Sequence, residues 1–300
     1  MVQCSKFLVF VGVLAIAAVG GCAATEADKC VLDEDCASGH CRVDGSCAPD
    51  VDASSNPTDG ASDGPIALCT PNHDGSITRA EFPLEPGRTA TYRVGLDVDV
   101  NTAGLAGPNQ TRVWDFSNQN AGDQEVQSAL QAVAGTWYAS AFPGATYATR
   151  LSQTEPLNGV FELTDAGLLL RGVVSDLGGA TRTELVYEPP VTVVKFPLQS
   201  NTSWSTTSTI TGVAQGVPSV YTEEYSSIVD AVGELTTPFG TFPVQRIRID
   251  LTRTVGVLIT TSRSFSFISE CFTSVANVRS EDYESDIDFD RAAELRRLSL

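Results

Sequence analysis

From about Pro86 onward, apolar and polar residues alternate one for one, and that period makes the strand the main element of this chain. Tyr92, Val94, Leu96, Val98 and Val100 interleave with Arg93, Gly95, Asp97 and Asp99, and Ile247, Ile249 and Leu251 interleave with Arg246, Arg248 and Asp250. Successive side chains of a strand point to opposite faces, so each run has one apolar and one wet face. Further segments of strand character are 111–116, 145–151, 158–164, 167–175, 181–188, 191–196, 203–213, 219–232, 254–262 and 263–270. Gly, Pro and Asn separate most of them, the punctuation of hairpins. The fold class is therefore mainly β, a large antiparallel meander forming a half-barrel or a sandwich. Two segments lean toward helix. One is 124–134. The other is the end, 286–300, where Ile287, Leu295 and Leu298 fall near one helical face, Phe289 and Ala292 lie beside them, and Asp286 or Asp288 is placed to cap the start. A C-terminal helix is expected there.

Ahead of the β region the chain is built differently. Residues 30–47 hold Cys30, Cys36, Cys41 and Cys47 in a stretch too short to bury a core, so covalent staples must support it. Residues 48–66 are rich in Pro, Asp, Ser and Gly with little apolar content, a flexible linker. The β domain takes up 67–300, with Cys69 near its start and Cys271 near its end. Those six cysteines are an even set, which in an oxidising compartment predicts three disulfides, with Cys69 and Cys271 joined across the β domain. Zinc is the competing use of the clustered four, with His40 between two of them. Structural zinc sites pair ligands two to four residues apart. The gaps here are five, four and five residues, so disulfides are expected. The spacing leaves their pairing open.

Net charge narrows the partners. A formal −18 repels phosphate backbones and excludes nucleic acid as a partner class. It also argues against holding anionic lipid by charge.

The first residues have a distinct anatomy. Lys6 supplies a short positive start, Phe7 to Val19 are apolar apart from Gly12, and Val19-Gly20-Gly21-Cys22 puts small residues before a cysteine. The apolar run is shorter than the ~20 residues a membrane span needs. This order of parts resembles the lipobox of bacterial lipoproteins. The resemblance implies a signal peptide over 1–21, a lipidated Cys22 that holds the protein to a membrane without crossing it, and a tether over 22–29. With Ala23 following, it implies sorting to the outer membrane, on its periplasmic or surface side. Cys4 then leaves with the signal, and the six remaining cysteines agree with the disulfide count.

A second motif, Thr70-Pro71-Asn72-His73-Asp74-Gly75-Ser76-Ile77-Thr78-Arg79-Ala80-Glu81, resembles a calcium loop of the EF-hand type. On that resemblance Thr70, Asn72, Asp74, Ser76, Thr78 and Glu81 stand at the ligand positions and Gly75 at the sharp turn. Thr70 replaces the usual aspartate, Pro83 follows almost at once, and 67–69 is too short for an incoming helix. The competing reading is an Asp-Gly turn closed by its own side-chain hydrogen bonds.

Catalysis has little to stand on. His40 and His73, the two histidines, both precede the strands, so no His-based triad forms within the sheet. Gly60-Ala61-Ser62-Asp63-Gly64 matches a nucleophile-elbow pattern but lies in the linker. Glu223-Glu224 and Asp97/Asp99 are candidate carboxylate pairs. Neighbours on a strand point apart, and Asp97 and Asp99 share a wet face. Trp114, Trp137 and Trp204 are candidate core residues, with a sugar platform as the alternative.

Phe196-Pro197-Leu198 followed by Asn201 and Trp204, and Thr237-Pro238-Phe239-Gly240-Thr241-Phe242 with Arg246, resemble paired landmarks of bacterial lipoprotein β domains. Some of these are similar to LolA/LolB-like lipoprotein carriers, half-barrels whose curved sheet wraps an apolar hollow. Asn201 replaces the usual glycine and is the next residue to tolerate a left-handed backbone. The resemblance implies a non-enzymatic binding or structural role, with an apolar ligand or an envelope protein as partner. The competing function is an envelope hydrolase using carboxylates, its fold supported by calcium. Ile247, Ile249 and Leu251 are expected to line the hollow or to be buried under a second layer.

Overall fold

The computed structural model describes residues 69–300, part of the unit Ile66–Leu300. The signal segment, Cys22, the module with Cys30, Cys36, Cys41 and Cys47, and the linker lie outside the described residues. The strands are β1 (Ser76–Ile77), β2 (Thr89–Asp99), β3 (Leu105–Ala106), β4 (Arg112–Asp115), β5 (Gln124–Ala129), β6 (Tyr147–Arg150), β7 (Leu157–Leu163), β8 (Gly167–Ser175), β9 (Glu184–Lys195), β10 (Leu198–Gln199), β11 (Ser203–Ala214), β12 (Val217–Thr236), β13 (Thr241–Val255), β14 (Leu258–Ser269), β15 (Thr273–Arg279) and β16 (Arg291–Leu298).

The main sheet runs β5-β2-β16-β15-β14-β13-β12-β11-β9-β8-β7-β6, and every neighbouring pair on this path is antiparallel. Its two ends meet just past β5, where Gln131 and Ala148 exchange both backbone hydrogen bonds at 2.8 Å. The meander is thus a nearly closed barrel, more complete than a half-barrel. Curling the sheet round removes most of the edge that an open meander leaves unpaired.

Neither expected helix forms. Residues 124–129 are β5, hydrogen-bonded to β2. The end of the chain is β16, paired with β2 on one side and β15 on the other. Ala, Glu, Leu and Arg favour helix by only tenths of a kcal/mol per residue over ordinary alternatives. A slot between two strand edges satisfies the backbone on both sides at once. Within β16 the side chains alternate: Glu294 and Arg296 pair on one face, while Leu295 and Arg297 are buried on the other. Arg297 closes on Asp123 at 2.6 Å, and both side chains are buried. Ile287, assigned to the helical face, is 55% exposed.

The apolar residues collect in three clusters. One fills the lumen and includes Phe161, Leu170, Tyr187, Val194, Ile210, Val229 and Ile247. The second lies on the outer face under the segment carrying β3 and β4, where Trp114 and Phe116 make edge contacts with Phe267. The third lies on the outer face of β6–β8, under Val133, Tyr138 and Phe142. Phe142 sits so close to β8 that a Cβ at Gly172 would meet its ring at 2.2 Å.

A bulge in β12 moves the chain from the first cluster to the second. The register with β13 shifts between Val229 and Ala231, so Val229 joins the lumen cluster while Leu235 packs in the outer one. Asp230, the extra residue, turns its carboxylate onto Arg246 at 2.8 and 2.9 Å, the re-aiming a bulge permits. Arg246 also reaches Asp288 at 2.8 Å and lies 4.3 Å over the Phe265 ring. Beyond the bulge, β4 adds in parallel to β12. Its backbone comes so near that a Cβ at Gly233 would meet the Arg112 carbonyl at 1.8 Å.

One end of the lumen is stopped by the chain leading into β2. β1 pairs with β10, placing Ile77 and Phe82 in the lumen cluster, and Phe82 meets Phe196 edge-on at 5.2 Å. Asn201, in the turn after β10, has φ +64°, the left-handed backbone read from the sequence. The plug is held by the β14–β15 turn. Cys69 and Cys271 form the expected disulfide, Glu270 Oε2 accepts the N–H groups of Asn72 and His73, and the Cys271 N–H donates to the Glu81 carbonyl at 2.9 Å.

The disulfide closes a 202-residue separation, for which the loop-entropy model gives about 5 kcal/mol, an upper bound for a chain with residual structure when unfolded. Cys271→Ser is expected to lower unfolding stability in urea by about 2–5 kcal/mol. Wild type with reductant should match it.

Candidate functional site

The lumen has two unlike walls, and the boundary falls between β13 and β14. Register places Ile247, Ile249 and Leu251 beside Ser266, Ser264 and Ser262. On β14 the intervening Phe265 and Phe267 point outward into the second cluster, so this strand is apolar outside and polar inside. From there round to β16 the lining continues polar, with Asn277, Arg279, Glu294 and Arg296. The opposite wall is the apolar lumen cluster. Between them is a cavity of about 340 Å³, bordered by Phe82, Tyr147, Phe161 and Leu168 on one side and by Ser264, Ser266 and Asn277 on the other.

The polar wall is cross-braced. Glu294 accepts from Ser152 at 2.7 Å and from the Gln153 N–H at 3.3 Å, and it holds Arg296 at 3.2 Å. Arg296 lies 5.8 Å over the Tyr92 ring. Ser266 donates to Asn277 at 2.7 Å.

A second polar group sits inside the apolar wall. Glu223 has no exposed surface, and it accepts from Tyr225 at 2.5 Å and from Arg253 at 2.7 Å. Glu223 and Arg253 are directly opposed in register, as are Tyr225 and Leu251. Burial raises the Tyr225 hydroxyl well above its ordinary range, and the Glu223 charge raises it further. Burial also raises Tyr187, next to Ile210 in the same wall. Sequence reasoning missed this group. Glu223-Glu224 is a candidate carboxylate pair in the sequence, and the strand splits it: Glu223 points in, while Glu224 faces out.

The calcium-like motif forms the plug loop. Asp74 Oδ1 accepts the Ser76 N–H, Asn72 Oδ1 accepts the Asp74 N–H, and Glu81 Oε2 accepts from the Thr78 N–H and hydroxyl in a capping box. Thr70 and Ser76 lie in the same loop. These are the bonds of the self-closed turn. No cluster of three His, Cys, Asp or Glu side chains in ion-holding geometry occurs among the described residues. Asp97 and Asp99 are exposed and both bond Arg291, whose hydrogen bond holds the Asp97 carboxyl below its ordinary range. Trp114 is buried in the outer cluster, Trp204 donates to the Thr192 carbonyl, and Trp137 borders a surface groove.

Two measurements test the buried group. Arg253, 48% exposed, shields a carboxylate with no access to water. Arg253→Ala leaves that charge unpaired and is expected to cost about 3 kcal/mol, the low end for breaking a buried pair. Glu223→Gln leaves only a solvent-reachable guanidinium and should cost clearly less in urea unfolding. For the tyrosines, a folded pKa above the unfolded value gives stability that is present below about pH 10 and lost as pH rises toward the folded values. Absorbance titration should show Tyr187 and Tyr225 un-ionised until the barrel unfolds in alkali.

Comparison with protein-family models, with curated proteins and with solved structures finds no match for this chain.

Proposed function

We propose that this protein is a lipid-anchored, non-enzymatic binding protein of the bacterial cell envelope, whose barrel takes one small amphiphilic molecule into its lumen. The observation that carries this reading is the pairing of an apolar wall with a serine, asparagine and arginine wall around one cavity. A ligand with an apolar body and a polar end matches both surfaces, whereas a purely apolar one would leave the polar wall unpaired. The volume lies at the lower end of small-molecule sites, about 300–1,000 Å³, so one chain of an amphiphile is the scale. The lumen-facing carboxylates Glu294 and Glu223 are committed to Arg296 and Arg253, which supports holding a ligand over transforming it.

The envelope assignment rests on Cys22 and the small residues before it. The Cys69–Cys271 disulfide supports an oxidising compartment.

Each half has its own test. Wild type should partition into detergent while Cys22→Ala stays uncleaved or soluble; equal partitioning removes the anchor. Native delipidated protein should bind an environment-sensitive fatty-acid dye saturably. Ser264→Phe, which fills the polar wall, should abolish the signal while keeping the fold; equal uptake by the variant removes the lumen site.

A further inference from the structure

We propose that a second site, on the outside of the barrel where β5 and β6 draw apart, binds a neutral oligosaccharide. Past the Gln131–Ala148 bridge the two strands separate, and a groove of about 620 Å³ opens along the seam. It is roofed by Trp137 and Tyr138 and floored by Gln127, Gln131, Asn158 and the Arg150–Asp176 pair.

Three observations point to a ligand and to its class. The first is charge. Arg150 and Asp176 are the charged residues of the lining and bond each other at 2.9 Å, and Asn158 takes the other Asp176 oxygen at 2.7 Å. The groove is neutral on a protein of net charge −18, so neither an anion nor a cation is specifically favoured. The second is hydrogen-bonding capacity. The side-chain amides of Gln127 and Gln131 are exposed in the groove, each offering both donors and an acceptor, the capacity that hydroxyl groups require. The third is the half-buried Trp137 indole, which borders the groove beside the more deeply buried Tyr138.

The aromatic residues complete the pattern. Trp137 and Tyr138 meet edge-on with centroids 5.3 Å apart, and Gly178 backs the indole, with its would-be Cβ 3.1 Å from the ring. The absence of a side chain at Gly178 lets the chain pack flat on the ring and fixes it in place. A fixed indole suits a ring that is apolar on its face and hydroxylated at its rim. A peptide would bring charge or long apolar side chains for which this groove has no pocket. The site is separate from the lumen: its aromatics belong to the outer cluster, although Ser128 and Arg150 border both spaces.

The test uses the mature chain with chitotetraose and maltotetraose as soluble probes, and purified peptidoglycan sacculi as the insoluble arm. One of the soluble probes should bind saturably by calorimetry and change tryptophan emission. Sacculi pulldown then separates a wall glycan from a free oligosaccharide as the natural source. The double variant Gln127→Ala/Gln131→Ala changes exposed side chains, should keep the wild-type melting temperature, and should weaken binding about tenfold or more, as expected when a site loses hydrogen bonds to its ligand. Trp137→Phe should remove the emission change and weaken binding as well. Absence of binding to every probe, or binding unaltered in the glutamine variant, overturns the proposal. Fatty-acid dye uptake is unaffected in either case, so failure here is distinguishable from failure of the lumen site.

Discussion

The architecture depends on one closure. Twelve strands curl until Gln131 and Ala148 meet, and a single backbone bridge joins the two ends. A sheet of this width left open would expose two unpaired edges and one apolar face. Closing it turns that face inward and creates the lumen. Because the joint is one bridge wide, the strands part again directly beyond it, and the same feature that completes the barrel opens the groove along its seam.

A ring of this size is too wide for its own side chains to fill evenly, and the chain solves this from both sides. The segment through Ile77 and Phe82 stops one end of the lumen, locked by Cys69–Cys271 and by Glu270. Where the inner lining turns to serine, the apolar residues of the same strand face outward and are covered by Trp114 and Phe116. Core and cavity are therefore exchanged across β14. The bulge at Asp230 does the same along β12, and the carboxylate it exposes holds Arg246 in place. Charged groups buried this way contribute little net stability, but each fixes one register, since a slip by one residue would strand a charge.

The polar wall and the Glu223–Tyr225–Arg253 group were not visible as a site in the sequence because their members come from separate strands. Ser262, Ser264 and Ser266 read as the wet face of an ordinary strand. Nothing local says that this wet face is the inside. Likewise Trp137 was one of three equivalent tryptophans until the fold put Trp114 in a core, tied Trp204 to Thr192, and left Trp137 beside unpaired amides.

Period-two alternation alone determined that this protein is an antiparallel β domain, because strand side chains alternate whatever the neighbours are. It placed β8 to the residue, Gly167–Ser175, while the even cysteine set, with Cys69 and Cys271 standing apart from the clustered four, made those two partners. The positive φ at Asn201 was equally local, a matter of which side chains tolerate that backbone. Tertiary structure alone decided the fate of 124–129 and 291–298. Their residues prefer helix by small increments, and two waiting strand edges outweigh that preference once the barrel assembles. It also decided which face of each strand is inside, since alternation defines two faces without ranking them. Only closure of the sheet, with coverings laid over part of its outer surface, assigns one to the lumen and the other to an outer core.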